Sequence, residues 1–116
     1  MITPEQSQAI VQTALEFLGH PYTASFNCMD FVREVYLKNQ LTLPPLSLNL
    51  TPEELLNPPI GHIRYLRHKQ ASPGRNFTHA ALILPERKAI HASYYFGMCV
   101  VITDLDELMK IYDLPR

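Results

Sequence analysis

Asn27-Cys28-Met29-Asp30-Phe31-Val32 places a cysteine at the first turn of a helix. Asn is a preferred N-cap residue. Beyond it Met29, Phe31, Val32, Val35 and Tyr36 supply an apolar face, Arg33, Glu34 and Lys38 read as solvated, and Asn39 can end the run. A thiol at a helix N-terminus is biased toward the thiolate, because the free backbone N–H groups and the helix dipole favour negative charge there.

Upstream, Thr3 or Ser7 can cap a first helix whose apolar residues are Ile10, Val11, Ala14, Leu15, Phe17 and Leu18, with Gly19 ending it. His20-Pro21 forces an extended or turn conformation. Downstream, prolines at 44–45, 52 and 58–59 predict an irregular connection over 41–59, interrupted by a short helix over 52–56 with Thr51 as its cap. The stretch of that connection from Leu43 to Pro59 is expected to form one rim of any cleft at Cys28 and to influence substrate choice. Strands are expected over 60–67, 77–84, 89–95 and 99–102, separated by turns at 70–76 and 85–88, and a short helix over 104–110 is capped by Thr103 or Asp104. Helices followed by a run of antiparallel strands make an α+β fold, with N-terminal helices packed on a central antiparallel sheet.

A chain of 116 residues suits one domain, 1–116, with one core. The formal net charge of −1 gives no sign of a nucleic-acid or anionic-membrane partner. No apolar run is long enough to span a bilayer as a helix, and the N-terminus lacks the pattern of a signal peptide. The expectation is a chain that is cytoplasmic as made, or a mature form, or one exported without a cleaved signal to act on the cell wall.

Two histidines, His79 and His91, fall on neighbouring strands. If Leu84 pairs with Lys88 across a three-residue loop, His91 lies opposite Ala81 and His79 is its diagonal neighbour, roughly 7–8 Å away, within reach of two imidazoles. A four-residue loop would put the rings on opposite faces unless a bulge intervened. On this register Cys28 can attack a carbonyl carbon, and His79 can hold the thiolate and protonate the leaving amine. His91 can fix the tautomer of His79. The N–H of Cys28 is a ready oxyanion donor, and the Tyr22 hydroxyl a second. No cofactor or metal is expected.

The motifs resemble those of the NlpC/P60 cysteine peptidases. Leu18-Gly19-His20-Pro21-Tyr22 is similar to that family's glycine-x-proline-tyrosine entry, and residues 27–32 resemble its nucleophile motif. Leu41-Thr42-Leu43-Pro44 resembles the leucine-proline after the catalytic helix, and Gly61-His62-Ile63-Arg64-Tyr65-Leu66 the glycine-aspartate strand. Thr78-His79-Ala80-Ala81-Leu82-Ile83-Leu84 and Ala89-Ile90-His91-Ala92-Ser93 resemble its two histidine strands. The resemblance implies a papain-like fold and hydrolysis of amide bonds in peptidoglycan stem peptides, typically between D-glutamate and a diamino acid. It carries the nucleophile onto Cys28, the base onto His79, the orienting residue onto His91 and a supporting role onto Tyr22. A bare catalytic domain of this kind suits an antibacterial effector with an immunity or inhibitor protein as partner, or a phage-associated lysin. Met29-Asp30 stands where the family has serine-glycine, and Ala81 replaces a strand glycine.

Other readings stay open. Cys28 and Cys99 can form a disulfide, or Cys28 can be a small buried hydrophobe. Cys28, His79 and His91 can ligate a metal. The domain can be a drifted papain-like binding module, or a deamidase or acyltransferase using the same Cys-His pair. His20, His62 and His68 read as surface or loop residues. Arg64, Arg67, Lys69 and Arg75 read as a solvated edge strand, or as a contact for peptide carboxylates.

Overall fold

The computed structural model describes residues 2–44 and 51–115, and residues 45–50 of the proline-rich connection lie outside the described residues. The chain runs α1 (Pro4–Glu16), α2 (Cys28–Lys38), α3 (Pro52–Leu56), β1 (Ile63–His68), β2 (His79–Leu84), β3 (Lys88–Ser93), β4 (Cys99–Asp104), α4 (Leu105–Leu108) and β5 (Tyr112–Asp113). The strands form an antiparallel five-stranded sheet in the order β4-β3-β2-β1-β5.

Local chemistry sets the helix starts. Thr3 caps α1 in a capping box with Gln6, and Pro4 occupies the first turn, where its missing N–H costs nothing. Ser7, the other candidate cap, instead donates to the Ile60 carbonyl at 2.7 Å. Gly61 sits against it at φ +83°, and a Cβ there would come within 2.9 Å of Ser7 Oγ and 3.0 Å of Ser7 Cα. That turn delays the expected strand at residue 60 to Ile63. The strand expected from residue 77 likewise begins at His79, and the one expected over 99–102 runs on to Asp104, which shortens the helix after it.

The register matches the expectation that matters most. Leu84 pairs with Lys88, leaving Pro85-Glu86-Arg87 as a three-residue loop with Glu86 and Arg87 at positive φ. The sheet is covered on both faces, which explains why β2 is buried along its whole length instead of alternating. One face meets α1 and α2: Tyr65, Ala80, Leu82, Ile90, Ala92 and Val100 pack with Ile10, Ala14, Phe31, Val32 and Val35. The other carries Leu66, Ala81, Ile83 and Ala89 under Leu105, Leu108 and Tyr112.

β5 corrects the picture of β1 as a solvated edge. Its two residues pair with Arg67 and His68, and Arg67 is only 5% exposed. The guanidinium of Arg67 donates to the carbonyls of Arg75 at 2.9 Å, Ala71 at 3.0 Å and Ser72 at 3.2 Å, so it braces the β1–β2 loop. Arg64 donates to the Glu54 carbonyl at 2.9 Å. His68, expected as a plain surface or loop residue, packs its ring edge-on to Tyr112 and accepts the Gln70 N–H. No helix among the described residues is long and apolar enough to cross a membrane.

Candidate active site

Cys28 is the first residue of α2. The Asn27 Oδ1 accepts the N–H groups of Met29 and Asp30, both at 3.0 Å, and Asp30 Oδ2 accepts the Asn27 N–H at 3.0 Å. Asp30 thus completes a capping box and also meets Arg33 at 3.3 Å. A carboxylate at this position therefore has a structural reason, the closing of the box at the start of α2. Both cysteines are free thiols, so the disulfide reading is not the one adopted.

The thiol of Cys28 is buried, and burial pushes its pKa up. The Ala80, Met29 and Cys28 N–H groups pull it down, and the Asp30 carboxylate adds a smaller upward push. Desolvation outweighs the helix terminus, which corrects the expectation of a resting thiolate. Ala80, whose N–H meets the thiol, directly follows His79.

The two histidines are brought together on the sheet behind. His79 Nε2 lies 2.8 Å from His91 Nδ1, with the rings edge to face at 84°. Both rings are buried, His91 completely. Burial holds both well below the ordinary imidazole pKa, and for His79 the neighbouring His91 adds to the effect. His79 also lies flat on the Tyr112 ring, 4.8 Å between centroids and 11° from parallel. His91 Nε2 reaches Thr103 Oγ1 at 2.9 Å.

A cleft of about 540 Å³ opens over Cys28, walled by Tyr22, Asn27, Met29 and residues 74–78. None of the described residues of 43–59 lines it, and residues 45–50 of that expected rim lie outside the described residues; the described wall opposite α2 is the β1–β2 loop that Arg67 braces. Tyr22 meets Tyr94 edge-on, and burial, followed by its proximity to Cys28, raises its phenol pKa. Arg75 and Thr78 line both this cleft and a neighbouring one of about 370 Å³ that includes Tyr112 and Tyr95. Among the described residues, no group of three or more His, Cys, Asp or Glu side chains is arranged to hold a metal ion.

Sequence reasoning missed two residues of this site. Thr103 was within reach of the register argument: Ala89 pairs with Thr103 and His91 with Val101, so Thr103 is the diagonal neighbour of His91 on the same face. Tyr112 carried no such signal, because a two-residue strand has no periodicity.

The backbone aligns with a set of solved structures that includes the following three. An NlpC/P60 family protein from Bacillus cereus matches at a TM-score of 0.73 and 20% identity, over 91% of this chain and 38% of that one. A protein from Staphylococcus aureus, described as similar to a lipoprotein of the NLP/P60 family, matches at 0.72 and 23%, over 99% and 42%. The NlpC/p60 domain of the peptidoglycan hydrolase SagA matches at 0.67 and 24%, over 92% of this chain and 94% of that domain. The fold is that of an NlpC/P60 domain. This chain spans only about two-fifths of the first two proteins, so the NlpC/P60 fold is what it has in common with them. No family model and no curated protein matches the sequence.

Proposed function

We propose that the chain is a cysteine hydrolase, an endopeptidase or amidase acting on amide bonds of peptidoglycan stem peptides. The observation that carries this reading is Cys28 at a capped helix N-terminus in the floor of an open cleft, with the hydrogen-bonded His79–His91 pair on the adjoining strands. The likeness to a domain of a peptidoglycan hydrolase supports the choice of substrate.

The directions of the pKa shifts favour a neutral thiol and a neutral imidazole at rest. Bond formation and proton transfer are then coupled. As the Cys28 sulfur attacks the carbonyl carbon, its proton passes to His79, and the oxyanion is met by the backbone N–H of Cys28 and the Tyr22 hydroxyl. His79 returns the proton to the leaving amine, which leaves a thioester. Water, deprotonated by the same ring, releases the acid and restores the thiol. His91 orients His79 throughout.

The test is mass spectrometry of purified muropeptides incubated with the wild type and with Cys28→Ala. A product formed only by the wild type supports the hydrolase and identifies the bond. Identical, uncleaved profiles over a broad muropeptide panel would sink the proposed substrate.

A further inference from the structure

We propose that Thr103 is a positioning residue for the histidine pair: its hydroxyl oxygen accepts the Nε2–H of His91, which frees His91 Nδ1 to accept the Nε2–H of His79 and leaves His79 Nδ1 as the base. The inference rests on the reading of Cys28 and His79 as nucleophile and base, and it deepens that reading by adding the residue that sets the direction of the hydrogen-bond chain.

The argument is one of counting protons. The chain runs His79 Nε2 to His91 Nδ1 at 2.8 Å, then His91 Nε2 to Thr103 Oγ1 at 2.9 Å. A neutral imidazole has one N–H and one lone pair, so the chain has two concerted patterns. In one, every N–H points toward Thr103 and His79 Nδ1 is bare. In the other, the hydroxyl donates inward, His91 donates to His79, and His79 Nδ1 carries the proton and cannot act as a base. Once His79 takes a proton from the thiol, only the first pattern survives. The imidazolium must donate from Nε2, so His91 must accept at Nδ1 and pass its own N–H to Thr103.

Burial makes that acceptor indispensable. His91 is fully buried, so no water can replace the hydroxyl without a rearrangement. An unmet N–H there costs most in the charged state, which is the state that catalysis has to stabilise. Thr103 itself is half-buried and lines a shallow depression of about 600 Å³ with Lys88, Tyr95, Phe96, Asp104 and Glu107, which shares no lining residue with the Cys28 cleft. Its hydroxyl hydrogen can face water there while a lone pair serves His91. The charges around it are engaged with one another: Lys88 pairs with Asp104 at 2.7 Å, and Glu107 with Lys110 at 2.9 Å.

The test is long-range nitrogen–proton NMR of the ring nitrogens in the wild type, Thr103→Val and Thr103→Ser, together with kcat and KM on muropeptides. The wild type is expected to carry both rings as Nε2–H. Thr103→Val should lose that pattern and lower kcat about tenfold, the effect of one lost hydrogen bond, with KM unchanged, and Thr103→Ser should restore both. Wild-type rings protonated at Nδ1, or a valine variant with wild-type spectra, would overturn the proposal. If the valine variant does not fold, the wild-type spectrum decides. If muropeptides are not cleaved, the proposed substrate fails, and the spectra still report on Thr103.

Discussion

At Cys28 two electrostatic effects oppose each other. The helix terminus and three backbone N–H groups favour the thiolate, whereas burial and Asp30 favour the thiol, and burial is the largest contribution. The sign is therefore the reverse of a pre-ionised nucleophile. Alkylation of Cys28 by iodoacetamide, read on its own peptide so that Cys99 does not contribute, is expected to rise with pH through a midpoint above the free-thiol value of about 8.5. A midpoint below 7 would show that the thiolate is stabilised at rest. The face of His79 poses a similar question, since Tyr112 lies flat on it and fixes its plane. Tyr112→Phe keeps the stacked ring and should retain activity within about threefold, whereas Tyr112→Leu loses a stacking contact of about 1 kcal/mol and should lower kcat roughly fivefold. Equal loss in both variants would assign the effect to the phenol hydroxyl instead of the ring.

Between elements, the structure hangs the cleft on two polar devices. The Asn27 side chain holds two N–H groups at the start of α2, so Asn27→Ala is expected to cost about 1–2 kcal/mol in urea unfolding. Arg67 holds three loop carbonyls at the far wall, so Arg67→Met should cost about 2–3 kcal/mol and raise KM more than it lowers kcat, because the wall loosens while the nucleophile stays in place. A selective fall in kcat would count against that division. These devices differ in how legible they were. Asn27 announces itself, because capping is a local rule that reads a residue against its next three neighbours. The Leu84–Lys88 register was equally readable, because a three-residue loop and the need to bring two histidines to one face leave few alternatives. Arg67 was read as solvated because its partners are carbonyls, which no residue type in the sequence reveals. The pairing of β5 with β1 that covers it comes from residues more than 40 positions away.

Across the molecule, the burial of both histidines links the site to the stability of the sheet that carries it. His79 and His91 lie between the covered faces, with pKa values pushed down by burial in the folded state. In the unfolded chain each would titrate near 6.5, as a free imidazole does. Below that pH the unfolded state binds more protons than the native state, so unfolding becomes easier as acid is added. Above it both states are neutral and these rings contribute no slope. Each ring can contribute a slope approaching about 1.4 kcal/mol per pH unit below 6, before the carboxylates take over near pH 4. Urea unfolding of the wild type should therefore show stability that is flat from pH 8 to 7 and falls between 6.5 and 5. His91→Gln keeps a polar side chain in place of one titrating ring and removes the charge repulsion on His79, so its slope in that window should be about half as steep, whatever its stability at pH 7. A variant as steep as the wild type would mean that the acid sensitivity resides elsewhere and that the His79–His91 pair is not the proton-sensitive centre of the fold.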